Sequence, residues 1–333
     1  MPRLVKASNS KAERRSERKK IGKLQNQVVL PVTVDRYEAI FQQFLSHSGF
    51  ARGYFQEHVQ EIDGHLSEFI EFLWKDGEPK SYANYAAASV QFFIPEAKRK
   101  LVNAWRLIST WNKIEVPVRA TPISPEILLG FSGLFQKWKY IRVAQMLLVG
   151  YSAFLCTGEM FRVRVEDVVL PRASHQAAVI FLQDTKTSQR HQKQMQWEKV
   201  LIKEKLALDA LRQLCRQRGR KEFLMDVTVH QFRKLWAEAV SYFQLQDQKI
   251  QPYSIRRGGA TSAYRLGTTF EELMQQGRWA NVATARIYLD EAIQELNTLS
   301  LSSTSRRLLR QASRPFVSCK PDRDAWTGGV REP

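Results

Sequence analysis

Three side chains in the last third of the chain have the types that act on a phosphodiester: Arg256, Trp279 and Tyr288. They lie in one stretch, residues 251–292, QPYSIRRGGATSAYRLGTTFEELMQQGRWANVATARIYLDEA. A guanidinium grips two phosphate oxygens at once through its planar fork. An indole N–H donates to a further oxygen while its ring packs the site. A tyrosine hydroxyl attacks phosphorus and keeps the bond as a phosphotyrosyl link. A phenol ordinarily titrates at about 10, so it needs cationic neighbours to attack at neutral pH. Each residue also has a plain reading: a Tyr at a helix edge, a Trp in a core, an Arg on a solvated face.

Taken together and in this order, YSIRRGGAT, GRWAN and ARIY resemble box II of the tyrosine recombinases, the phage-integrase family. The likeness runs through residues 30–300 and is densest in 251–292. It implies that Tyr288 is a nucleophile that releases a 5′ hydroxyl and holds a 3′-phosphotyrosyl bond. Arg256 matches the Arg of the family's His-x-x-Arg motif, with Tyr253 in place of the His. Tyr253 can donate a hydrogen bond but cannot carry a proton near neutrality as imidazole does. Trp279 occupies a position the family fills with His or Trp. Lys186, in QDTKTSQR, falls where the family carries a hairpin Lys that protonates the leaving oxygen, with Lys193 and Arg190 as fallbacks. Arg257 and Arg278 are read as contacts to flanking phosphates. Such a site works by fixed positive donors, so the resemblance implies no metal and no cofactor.

The first box departs from the family. Aligning GEMFRVRVEDV puts Glu159 on the family's acidic residue and Asp167 on its closing Asp. Cys156 then falls where the first catalytic Arg belongs, in Cys-Thr-Gly-Glu where the divergent eukaryotic mobile-element branch reads Arg-Thr-Gly-Glu. A thiol is short, neutral and a weak donor, so it cannot clamp a phosphate. Arg162 and Arg164 lie six and eight residues on and do not share its helical face.

The elements that must position these groups read as mainly α with a small antiparallel sheet, in two domains. Residues 1–29 form a basic arm, expected to be disordered or a frayed helix and suited to phosphate contact or nuclear import. Residues 30–116 read as four or five helices, including 82–93 and 97–111, with Trp74, Trp105 and Trp111 as core anchors and Lys80, Lys98 and Arg99 on a basic face. The segment 117–125, PVRATPISP, holds three prolines and reads as a linker. Residues 126–300 follow as the second domain. It has strands near 177–182 and 195–202, a helix from about 261 after Gly258 and Gly259, and one from 283 to 299. Residues 301–333 read as a basic, largely disordered tail. The helical half resembles the family's core-binding domain, and the pair implies a clamp around DNA.

Composition narrows the partners. Fifty-one Lys and Arg against 33 Asp and Glu give a net charge of +18, a field that draws polyanions. Double-stranded DNA is the leading partner. No apolar run spans a bilayer, no signal peptide opens the chain, and the three cysteines make no zinc pattern. The expected location is therefore intracellular, and nuclear. An apolar stripe of Ile293, Leu296, Leu299 and Leu301 either docks on a second copy, in a dimer or tetramer on DNA, or folds back on its own domain. Three functions stay open: a strand-cutting recombinase, a DNA-binding relic without catalysis, and a basic helical scaffold or RNA-binding protein.

Overall fold

The structure, a computed structural model, describes residues 10–21, 23, 28–115, 119–171, 177–182, 198–216 and 218–317. The chain divides into two compact units, Met1–Val118 and Arg119–Pro333. The first unit is helical: α1 (Lys11–Ile21), α2 (Pro31–Ser48), α3 (Arg52–Glu57), α4 (Ile62–Lys75), α5 (Ser81–Phe93) and α6 (Val102–Ile114). Over its span helix α1 takes the helical one of the two alternatives expected for the arm. Helices α2 to α6 enclose a core of aromatic and small residues, in which Phe41 and Phe44 meet Phe55, Phe69, Ala86 and Ala87. Helix α4 reaches across to start α6: the Asp63 carboxylate accepts the N–H groups of Asn103 (2.8 Å) and Ala104 (2.9 Å), two donors that a helix start otherwise leaves unpaired.

The helix expected from residue 97 begins five residues later. Pro95–Ala97 is a single 3-10 turn, and Arg99 takes a left-handed backbone (φ 70°) that no helix can run through. Of the expected tryptophan anchors only Trp111 is one, at 4% exposure. Trp74 and Trp105 are 39% and 42% exposed, with Trp74 set edge-on to Trp111.

The second unit comprises α7 (Pro125–Lys137), α8 (Ile141–Ser152), α9 (Thr157–Met160), β1 (Val168–Val169), β2 (Ala178–Leu182), β3 (Glu198–Ile202), α10 (Lys205–Cys215), α11 (Val229–Tyr242), α12 (Ser254–Arg265), α13 (Phe270–Gly277), α14 (Val282–Arg286), α15 (Glu291–Leu299) and α16 (Ser303–Val317). The strands form an antiparallel sheet in the order β1-β2-β3, with Val168 opposite Ile180 and Ile180 opposite Val200. Alternation buries Ala178, Ile180 and Leu182 on the face that joins the core of this unit. Among the described residues no helix is long and apolar enough to cross a membrane.

Four expectations are corrected in this unit. Residues 119–124 are no free linker: Ala120, Thr121, Ile123 and Ser124 are buried, and the Ser124 hydroxyl caps α7 by accepting the Ile127 N–H. The extended, proline-bounded backbone cannot pair with itself, and its carbonyls are met instead by Arg257 and Gln294. Helix α12 starts at Ser254, not near residue 261, and runs through both glycines. A Cβ at Gly258 would lie 2.3 Å from the Ile123 carbonyl, and one at Gly259 2.1 Å from that of Tyr151, so the glycines serve close helix packing. The helix expected over 283–299 breaks into α14 and α15, because the Asp290 side chain accepts the Ile293 N–H and starts a new helix. The tail is also a helix as far as Val317. Ser305, Leu309 and Ser313 recur every four residues and pack α16 on α7, with buried Leu301 just before the helix, and Gly130 and Gly133 leave room for Leu309 and the Ala312 carbonyl.

Candidate active site

Helix α12 supplies three of the candidate residues from its first turns. Tyr253 stands just before the helix, and Arg256 and Arg257 follow inside it, both buried. One turn of helix separates Tyr253 from Arg256, so the two share a face.

The other groups arrive from distant parts of the sequence. Helix α13, capped by Thr269 with Glu272, ends at Gly277, and Arg278 and Trp279 turn out of it. A Cβ at Gly277 would fall 2.4 Å from the Trp279 ring, so only glycine lets the indole fold back there. Trp279 then lies 4.5 Å from the ring of Tyr288, centroid to centroid. The Arg256 guanidinium lies 5.3 Å from the centre of each ring, a cation over two aromatic faces. Tyr288 sits in the break between α14 and α15. Thr261 of α12 holds it there by donating to the Tyr288 carbonyl (3.0 Å) and accepting the Asp290 N–H (3.3 Å). The hydroxyls of Tyr253 and Tyr288 are hydrogen-bonded to each other.

Glu159 is the centre of charge. Its Oε2 accepts from the Cys156 N–H (2.8 Å), from Arg278 Nη2 (2.7 Å) and from Arg256 Nη1 (3.3 Å). Burial pushes its pKa up, but the charges of Arg278 and Arg256 and the Cys156 N–H outweigh burial and hold it below the usual carboxylate value. Arg256 also donates through Nη2 to the Gly277 carbonyl (2.6 Å). Its Nε, and Nε1 of Trp279, are buried without an acceptor among the described residues. Two unpaired donors beside a tyrosine hydroxyl are what an incoming phosphate oxygen would satisfy. Cys156 lies at this centre as well. Burial, then the Glu159 charge, push its thiol pKa up, so it brings no charge of either sign.

Five of the residues expected at the site thus meet: Tyr253, Arg256, Trp279, Tyr288 and Glu159. Lys186, with Lys193 and Arg190, lies outside the described residues. Two expected phosphate contacts are corrected. Arg257 is buried, donating to the Ala120 carbonyl and pairing with Asp290 (3.4 Å), so its charge is used internally. Arg278 likewise turns inward to Glu159 and to Glu198 (3.2 Å). Arg164 does not join this cluster, since its guanidinium stacks on Phe223 (4.3 Å) and donates to the Lys221 carbonyl. In the first unit, Lys98 and Arg99 are exposed and Lys80 donates to the Glu115 carbonyl (2.7 Å).

Sequence reading missed the support behind the site. Gln294 of α15, fully buried, donates to the Ile123 carbonyl (2.8 Å) and to Ser262 (3.1 Å), and Ser262 in turn meets the Tyr151 hydroxyl (2.6 Å). No local pattern marks a polar side chain whose partners are far away in the chain. The apolar stripe divides: Leu301 is buried, whereas Ile293, Leu296 and Leu299 remain exposed.

No protein-family model matches the chain, and no curated protein matches its sequence. Solved structures match its fold. The Tn1549 transposon integrase in complex with circular intermediate DNA is 12% identical, with a TM-score of 0.51, over 79% of this chain and 99% of that one. A lambda integrase dimer bound to a COC′ core site is 11% identical, with a TM-score of 0.50, over 79% of this chain and 78% of that one. The mainly helical architecture with its small antiparallel sheet is the fold of these tyrosine recombinases.

Proposed function

We propose that this chain binds duplex DNA and presents the scissile-phosphate site of a tyrosine recombinase, with Tyr288 as nucleophile and one clamping guanidinium missing. The observation that carries the reading is the stack of Arg256 over Trp279 and Tyr288, three residues from separate elements that the fold brings together. In the reaction Tyr288 gives up its phenolic proton to solvent, its oxygen attacks phosphorus, the bond to the 5′ oxygen breaks, and that oxygen takes a proton from a hairpin lysine, for which Lys186 is the candidate. Arg256 and Trp279 donate to the oxygens on which negative charge gathers. The positively charged chain supplies affinity through many phosphate contacts, among them Lys98 and Arg99 of the helical unit. Assembly as a homodimer or homotetramer on DNA, closure of two units around the duplex, and nuclear import through the basic arm belong to the same reading.

Cys156 favours a second reading, a DNA-binding protein that no longer cuts. Losing one transition-state donor costs about 10²- to 10³-fold in rate, whereas binding shares its energy over many phosphates. Binding to random-sequence duplex across a salt series tests what the two readings share. Affinity should fall as salt rises, and Arg256→Lys, which keeps the charge but loses the fork, should weaken it less than Arg256→Ala. A chain whose affinity ignores salt would sink both.

A further inference from the structure

We propose that Arg278 is a positioning residue that locks Glu159 and the start of β3 onto Arg256, an internal guanidinium in a site that lacks one at position 156. This rests on reading the Arg256–Tyr288 cluster as the phosphate site. Arg278 follows Gly277 in a left-handed backbone (φ 58°, ψ 36°), a conformation that an L-residue keeps only when its surroundings hold it. Its side chain is 7% exposed. Nη2 reaches Glu159 (2.7 Å), Nε pairs with Glu198 (3.2 Å), and Nη1 donates to the Gln276 carbonyl (3.0 Å). The fork is therefore spent on two carboxylates from two other elements and points away from solvent.

The charges explain why two carboxylates are needed. Glu159 faces Arg256, Arg278 and the Cys156 N–H, and one carboxylate cannot neutralise two guanidiniums. Glu198 takes up the second. It is also the first residue of β3, the strand that closes the hairpin on which Lys186 is placed by sequence. Gln276 adds to the same join by donating to the Leu201 carbonyl of β3 (2.8 Å) and to that of Ser152 (3.2 Å). Arg278 thus ties three pieces of the site together: the Cys156–Glu159 turn, α12 through Arg256, and the hairpin base.

The first test needs no DNA. Amide hydrogen exchange of the free protein is compared for wild type, Arg278→Gln and Arg278→Lys. In Arg278→Gln, exchange should quicken by about tenfold in both 156–160 and 198–202 at once. A change confined to residues beside 278 would overturn the proposal. The pH at which 156–160 loses protection on acidification should move upward in Arg278→Gln, because Glu159 loses a cation, and return in Arg278→Lys. Equal shifts in both variants would reduce Arg278 to a space-filler and overturn it too. Should the 278 variants fail to fold, Glu198→Gln leaves Arg278 in place and must still quicken exchange at 156–160, and no change there would count against the proposal. The second test measures the salt slope of duplex binding. It stays as in wild type if Arg278 acts from inside, and falls by about 1 if Arg278 touches a phosphate, which would overturn the assignment. A wild type that binds no duplex sinks the proposed function while leaving the exchange result to judge Arg278.

Discussion

Tyr253 and Tyr288 are joined hydroxyl to hydroxyl, with ring centroids 5.8 Å apart, although 35 residues separate them in the chain. Two tyrosines from distant parts of the sequence are thus in direct contact. Burial, then the bond to Tyr288, push the Tyr253 pKa well above the usual phenol value. Tyr253 is therefore a neutral partner at physiological pH. It can fix the direction of the Tyr288 hydroxyl, and it cannot take its proton.

Tyr151, fully buried against Ser262, is shifted upward by burial in the same direction. A phenol whose pKa is higher in the folded protein contributes stability below its unfolded value of about 10 and loses it as pH rises beyond. Unfolding free energy should therefore fall steeply above about pH 10, and Tyr151→Phe should flatten that fall. Chemical denaturation followed by circular dichroism through this range checks it. An identical slope in wild type and Tyr151→Phe would show that the buried phenol is not responsible.

Glu159 has the opposite linkage. Its pKa is depressed in the fold, so its stabilisation is present above the unfolded carboxylate value and is lost as pH falls through the folded one. Removing the charge leaves Arg256 and Arg278 buried against each other. Glu159→Gln should cost about 3–5 kcal/mol at neutral pH, and the gap to wild type should narrow below about pH 4, where the wild-type carboxylate also becomes neutral. Denaturant melts of the two proteins at neutral and acid pH are the measurement.

Two glycines separate packing from helix propensity. Gly259 lies in α12 with the Tyr151 carbonyl 2.1 Å from where a Cβ would be, so Gly259→Ala must push α12 off α8 and should cost about 1–3 kcal/mol. Gly64 lies in α4 with nothing within 4 Å of that point. Gly64→Ala should stabilise by about 0.5–1 kcal/mol, as expected where alanine only restricts the unfolded chain. Opposite signs in thermal melts are the expected result.

Helix α16 is where the sequence misled. Leu309 is fully buried against α7, so Leu309→Ala should destabilise the second unit by about 2–5 kcal/mol. A disordered tail would make that substitution silent in a thermal melt.

The reason α16 escaped notice is its composition. Arg306, Arg307, Arg310 and Arg314 crowd its open face, and two of its three buried positions among the described residues, Ser305 and Ser313, are serines. Period and charge together read as a basic tail, and only the glycines of α7 reveal a helix that fits there. The stack of Arg256, Trp279 and Tyr288 was legible because each of those residue types has few substitutes for its chemistry. The inward turn of Arg257 and Arg278 was not legible. A surface arginine and a buried one look alike until the partner carboxylates, Asp290, Glu159 and Glu198, are folded beside them.

On the proposed function, the side chain at position 156 decides whether the site cuts. Cys156 sits one turn from Glu159 with its N–H already on that carboxylate, so an arginine there would start from the same backbone anchor. Its side chain would bring a second charged fork toward the Arg256–Tyr288 cluster, where the thiol brings none. On nicked random-sequence duplex, Cys156→Arg should raise the yield of a denaturation-resistant protein–DNA adduct by at least about 10²-fold over wild type, while duplex affinity rises only slightly. Adding Tyr288→Phe to Cys156→Arg should abolish the adduct, since the phosphorus bond forms on that oxygen. An adduct from wild type as strong as that from Cys156→Arg would mean that another donor already fills the place of the first arginine. No adduct from either, from protein that binds the duplex, would mean that more than one guanidinium has been lost and would favour the DNA-binding reading.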